Sequence, residues 1–268
     1  MIPPPPDTCQ QQSRTRFMLS LLPGIASLLL LSTGHWQIAA VIFCLTFLII
    51  VIGTLMPRCT LFGPLVSTLP DDSVCLTIDD GPDPDTTPRL LDLLDLHQAK
   101  ALFFLIGDRA ARHPELVREI AHRGHGIGNH SQTHPAATFW SLHPQRMWAE
   151  VAGCQQTLTR ILGHAPTWFR PPVGHHNLFL SPPLRALGLT MMIWNCRGFD
   201  AVERDVSLIL KRISKTLQPG SIILLHDLTP ACVEVLEGTL ILIRERGYRI
   251  SLPSKLSRTR HLTQPEKG

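Results

Sequence analysis

Between Phe17 and Met56 the sequence contains no Asp, Glu, Lys or Arg. That absence excludes an ordinary water-facing surface, and the stretch is about twice the roughly 20 residues needed to cross a bilayer. Ser32-Thr33-Gly34-His35 interrupts it near the middle. The expectation is a transmembrane hairpin over 17–56, with helices at 17–33 and 36–56. A cleaved signal peptide competes for the first segment. It fits less well, because the apolar core is long, the second span follows at once and no small-residue cleavage site separates them. The connecting turn also lacks Lys and Arg, while Arg14 and Arg16 flank one end and Arg58 the other. By the positive-inside rule both ends and everything downstream lie in the cytoplasm, on a bacterial inner (plasma) membrane. A single effective span would put the rest outside.

CxxC spacing is missing too. The seven cysteines are odd in number and scattered, with Cys44 in an expected span and Cys75 and Cys196 in expected strands. This argues against a disulfide framework and favours a reducing compartment. No internal repeat and no nucleic-acid motif is present. The net charge of +4 arises in the juxtamembrane and C-terminal segments, as in "SKLSRTRHLTQPEKG". Contact with anionic lipid headgroups explains it more simply than nucleic acid, so the expected partners include the bilayer.

Residues 1–16, with "PPPP" near the start, read as a flexible tail, 57–72 as a linker and 254–268 as a basic tail. Over 73–253 short apolar runs alternate with amphipathic stretches. Strands are expected at 74–78, 100–106, 125–128, 166–169, 190–194, 221–225 and 247–251. Helices are expected near 87–98, 113–123, 144–162, 178–187, 205–217 and 231–246. Pro114 and Pro144 suit first helical turns, and Gly124, Gly163, Gly188 and Gly247 sit where helices stop. Such alternation implies an α/β fold whose parallel sheet closes, or nearly closes, into a barrel.

In "TIDDGPDPDTTP" the first strand ends on Asp79-Asp80. Adjacent carboxylates repel unless a cation or proton lies between them. Capping of the helix near Thr87 is the plain alternative, but Asp85 or Thr86 is better placed for it. "GNHSQTHP" supplies His130 and His134, four apart, a spacing that on a helical turn projects both imidazoles from one face. They follow a strand on the same sheet edge as Asp80. One carboxylate and two imidazoles leave an open position, as in hydrolytic zinc sites, although other divalent ions also suit these donors. Arg170 in "WFRPPVGHHN" ends another strand, where it would keep a neighbouring carboxylate ionised or simply lie at the surface. His226 ends "SIILLH" as a general acid or a core residue.

In this order, Thr77 to Pro82, His130 to His134, Arg170 to Gly174, Trp194 to Asp200 and Leu224 to His226 resemble the five motifs of the polysaccharide deacetylase family, the NodB-homology domain. The similarity runs from about Ser73 to Pro253. It implies a distorted (β/α) barrel of about seven strands, hydrolysing N-acyl groups of an amino sugar with a divalent metal, zinc in the first instance. By that resemblance Asp80, His130 and His134 bind the metal, Asp79 is the base, Arg170 orients it and His226 is the acid. Asp200 would pair with His226. Leu224 would line the acyl pocket, and the Val173 backbone N–H would face the oxyanion.

The departures are specific. Arg197 and Ala201 stand where the family often has Asp and Trp, and Val173 where Tyr is common. Trp194, Trp168 or Phe199 would have to supply the aromatic wall, while His175 and His176 are expected to be exposed. The substrate is then an N-acetylated glycan or a lipid-linked amino sugar. An O-acetyl esterase, another carbon–nitrogen hydrolase or a non-catalytic glycan-binding membrane protein are the alternatives.

Overall fold

The computed structural model describes residues 2–253, so the basic segment at 254–268 lies outside the described residues. Two helices come first, α1 (Asp7–Ser32) and α2 (Trp36–Leu55), packed on each other and both long and apolar enough to cross a membrane. The turn between them falls where the apolar run breaks. The expected flexible tail is corrected at one point, since α1 starts at Asp7. Tertiary contacts order its first turns: Cys9 is buried against Trp148 and Ala152, and Trp148 Nε1 donates to the Pro3 carbonyl at 2.8 Å. Composition alone does not reveal such contacts.

The remainder alternates β1 (Cys75–Asp79), α3 (Thr87–Leu96), β2 (Ala101–Leu105), α4 (Gly107–Arg112), α5 (Pro114–His122), β3 (Gly126–Asn129), α6 (Pro144–Leu162), β4 (Trp168–Phe169), α7 (Ser181–Ala186), β5 (Thr190–Met191), β6 (Cys196–Arg197), α8 (Val206–Thr216), β7 (Ile222–His226) and α9 (Cys232–Glu245). Every ladder is parallel, and the seven strands run in the order β5-β4-β3-β2-β1-β7-β6. The sheet curls into an incomplete barrel. Residues 192–195 carry the chain from one edge strand, β5, to the other, β6.

The number of strands matches the expectation, but the set differs. The run at 247–251 makes only an isolated bridge, Val74 to Ile250, and the short β6 takes its place. Two residues beside a glycine leave no period-two pattern to read. The six-residue α4 is likewise absent from the expected helices.

Period-two alternation sorts the sheet into two layers. Leu76, Ile78, Phe103, Leu105, Ile223 and Leu225 face the helices, while Cys75, Leu102, Phe104, Ile222 and Leu224 face the barrel interior. Each buried aliphatic side chain contributes about 1.5–3 kcal/mol. Both faces are covered, which is why these strands read as unbroken apolar runs. Helix ends follow local rules: Pro114 and Pro144 open α5 and α6, Gly163 ends α6 at φ 76°, and the Asp205 carboxylate accepts from the Ser207 and Leu208 amides.

Candidate active site

The alternation that fills the interior with Cys75 and Thr77 delivers Asp79 to its upper rim. On β7 the same alternation delivers His226, and the two are register partners across the β1–β7 ladder. The next residue on β1 would point to the opposite face. Asp80 instead adopts φ 75°, a left-handed turn that brings its carboxylate back over the same cavity. Neither Asp85 nor Thr86 caps α3 through its side chain; Thr86 stands at the N-cap, and Asp83 Oδ1 accepts from the Asp85 and Thr86 amides in a turn just ahead of the helix.

His130 and His134 converge on Asp80. Their Nε2 atoms lie 3.4 and 3.2 Å from Asp80 Oδ1, and one donor atom from each of the three lies within 4.8 Å of the others. The segment is not the helical turn that the spacing suggests. It is a loop with Ser131 and His134 at φ 67° and 53°. Buried neighbours hold it: Ser131 N donates to Asn129 Oδ1 (3.0 Å), and the Thr133 amide and hydroxyl donate to Glu150 (2.9 and 2.8 Å). Against the His130 Nδ1, 2.8 Å away, stands the Arg170 carbonyl, which leaves Nε2 to face Asp80.

Asp80 Oδ1 is buried and has no hydrogen-bond partner. An orphaned carboxylate oxygen between two imidazole nitrogens is what a divalent cation would satisfy, and the donor set fits one. Burial lowers His134 to about 4, and His130 beside it adds to the effect, so its ring is neutral and has a lone pair to offer. Burial works to raise the Asp80 carboxyl, yet His130, His134 and His226 together hold it well below the usual carboxylate range.

Beside this triad lie two charge-paired groups. Arg170, fully buried, donates from Nη1 to Asp79 Oδ1 and to Thr77 Oγ1, each at 2.7 Å, and its guanidinium lies 4.2 Å over the Phe104 ring. Asp200 binds His226 twice, Oδ1 facing Nδ1 at 3.0 Å and Oδ2 accepting the backbone N–H at 2.8 Å. Burial opposes a charge on His226, but Asp200, with Asp79 and Asp80 nearby, outweighs it and raises the imidazole to about 9. Asp79, Asp80, His130, His134, Asp200 and His226 line one cavity of about 220 Å³, walled by Val173, Trp194, Arg197, Phe199, Ala201, Val202 and Leu224, with Arg170 buried behind Asp79.

A family model described as polysaccharide deacetylase matches residues 67–192. A peptidoglycan-N-acetylglucosamine deacetylase of Bacillus cereus is 32% identical over 70% of this chain and 89% of its own length. The chain belongs to the polysaccharide deacetylase family. Peptidoglycan-N-acetylglucosamine deacetylases of Listeria monocytogenes strains are 31% identical over 65% of this chain, which spans only 36% of their length. Among solved structures, a family 4 carbohydrate esterase from Streptomyces lividans in complex with acetate has a TM-score of 0.63 and 32% identity, covering 68% of this chain and 93% of that one.

Within the polysaccharide deacetylase fold, the wall residues divide. Trp194 and Phe199 reach the cavity, whereas Trp168 is buried in the interior core. His176, expected to be exposed, is buried: its amide donates to the Thr54 carbonyl (3.3 Å), and its Nε2 lies 3.1 Å from the Cys59 carbonyl. A histidine two residues after a glycine gives no sign that a distant helix end will cover it. Glu150 and Asp227 are likewise beyond what the sequence signals. Glu150 is one acid on an amphipathic helix. Asp227 accepts from the hydroxyls of Thr86 and Thr87, and burial raises it to about 6. All seven cysteines are free, as their scatter implies.

Proposed function

We propose that this protein is a membrane-anchored, metal-dependent hydrolase that removes N-acetyl groups from an amino-sugar-containing glycan or lipid-linked sugar. One observation carries the reading: a carboxylate base, Asp79, and an imidazole acid, His226, flank the same three-donor cluster in one cavity. A binding module has no use for a matched acid and base.

Asp80, His130 and His134 would hold the ion, zinc being the cation their two nitrogens and one oxygen suit best. A divalent cation there supplies polarisation of the acyl carbonyl and acidification of the attacking water. Asp79 takes the water proton through Oδ2, since Oδ1 is held by Arg170. The water oxygen bonds to the acyl carbon, and the Val173 backbone N–H faces the oxyanion. The carbon–nitrogen bond then breaks, its electron pair goes to nitrogen, and His226 Nε2 supplies the proton that lets the amine leave. Acetate and a free amino sugar result. Leu224 and Trp194 border the acyl methyl.

An ester shares every step except the last, because an alkoxide is the better leaving group. A His226 held protonated by Asp200 therefore favours the amide over the esterase alternative. Acetate release from matched N-acetyl and O-acetyl sugars tests this, and exclusive release from the ester would overturn it. Arg14, Arg16 and Arg58 favour a cytoplasmic domain. A C-terminal reporter active only in the periplasm would reverse that side.

A further inference from the structure

Arg197 is the charged cavity residue for which the reaction has no use. Cys196 on β6 faces the helices, so alternation turns Arg197 inward, where it pairs in register with Leu224. Its guanidinium lies 3.9 Å over the Phe199 ring and 5.3 Å from that of Trp194. Among the described residues it makes no ion pair and no side-chain hydrogen bond, so its donors remain available to the cavity. Every acid around it is engaged elsewhere: Asp79 with Arg170, Asp200 with His226, Asp80 with the two imidazoles. A half-buried guanidinium held by two aromatic faces, whose neighbouring carboxylate, Asp200, is paired with His226 and not with it, is arranged to meet an anion, and phosphate matches its forked donors.

The second observation is where the cavity opens. α2 ends at Leu55, and the wall loop rests on the residues just beyond that end. A Cβ at Gly174 would stand 3.0 Å from Pro57 and 2.7 Å from Trp194. His176 ties the same loop to Thr54 and Cys59, and Arg16 of α1 donates to the Leu178 and Phe62 carbonyls at 3.2 and 3.0 Å. The pocket wall is thus seated on the end of α2 and on Arg16 of α1, just before the charge-free run begins at Phe17. Around the mouth, apolar side chains face outward: Val173 is 45% exposed, Phe199 44% and Val202 77%. Trp140, 46% exposed, stands next to the loop, with its carbonyl accepting from Asn177. Exposed apolar side chains with a tryptophan, beside a helix end, fit the headgroup zone of a bilayer.

Building on the deacetylase reading above, we propose that the substrate is an amino sugar joined through phosphate to a membrane lipid. Arg197 contacts the phosphate, and the Val173–Phe199–Val202 rim lies against the bilayer. The lipid keeps the sugar at the mouth at high local concentration.

The test uses the full chain with zinc in phosphatidylcholine vesicles and three substrates. These are an N-acetylglucosaminyl phosphate bearing a long alkyl chain, the same chain in a neutral glycoside, and a soluble N-acetylglucosamine oligomer. kcat/KM for acetate release is expected to be about tenfold higher for the phosphate-linked lipid than for the neutral one, the effect of one charged hydrogen-bonded contact. Arg197→Gln removes that preference through KM, Arg197→Lys retains most of it, and Val202→Asp lowers the ratio of vesicle-borne to soluble turnover. Equal rates on the two lipids, or a preference that survives Arg197→Gln, overturn the proposal. Preference for the soluble oligomer overturns it and leaves the deacetylase reading intact, whereas no acetate from any substrate overturns both.

Discussion

Asp79 and His226 are direct neighbours across two parallel strands, and the Asp227 amide, one residue on, donates to the Asp79 carbonyl at 3.0 Å. The proposed base and acid are thus spaced by a backbone ladder, which side-chain changes do not move. Their separate contributions can therefore be measured by substitution.

Asp79→Asn keeps the shape and one acceptor for Arg170 but cannot take a proton. Its kcat should fall about 10²–10⁴-fold, the usual contribution of a positioned base. Bound metal per chain, measured by elemental analysis, should be unchanged. Equal loss of metal would instead place Asp79 among the ligands.

Asp80→Ala removes the orphaned oxygen at the centre of the donor cluster. Zinc at about 100 times its dissociation constant should stabilise the native protein by about 2.7 kcal/mol. The resulting rise in melting temperature should vanish in Asp80→Ala and shrink in His134→Ala. Chelation followed by calorimetry reads this without any turnover.

His226 sits at about 9, above its ordinary value, because Asp200 overcomes the effect of burial. The acid form is present below that pH, so kcat/KM should decline as pH rises through it. Asp200→Asn should move this alkaline limb down. The stability linkage has the same sign: a raised folded value contributes fully below the ordinary imidazole range and is lost as pH rises through about 9. The variant's deficit in melting temperature should therefore be larger near pH ~6 than near pH ~10.

Asp227 joins the end of β7 to the start of α3 through Thr86 and Thr87. Asp227→Ala leaves the Thr87 hydroxyl without its acceptor, while Thr86 keeps Asp83 Oδ1 at 3.1 Å, and should cost about 1–3 kcal/mol in urea unfolding. Raised to about 6 by burial, the native carboxyl contributes most below the ordinary Asp range and less as pH rises through that value. Asp227→Asn should flatten that part of the stability profile.

Much of this is legible in the sequence where local rules and tertiary demands coincide. β1, β2 and β7 are apolar runs buried on both faces, and Asp79, Asp80, Arg170 and His226 stand at strand ends, so one edge gathers them. Spacing alone points to His130 and His134, although a loop and not a helix brings them together. The features that stay hidden are set by contacts distant in the chain. Residues 7–16 are helical because α6 covers Cys9, and His176 is buried because the end of α2 covers it. The two-residue β6 exists because β7 offers it a ladder. Arg197 stands out in the sequence as a departure, but its aromatic seat becomes visible only in the fold.

Arg170 serves the site by two routes with different inheritance. The guanidinium that holds Asp79 is encoded by a codon, while the carbonyl that faces His130 belongs to the main chain and survives any replacement at that position. A descendant that lost the arginine would forfeit the proposed proton transfer yet keep the carbonyl that orients the proposed ligand His130. One nucleotide change thus separates the two duties, at the cost of leaving the buried Asp79 carboxylate without its partner.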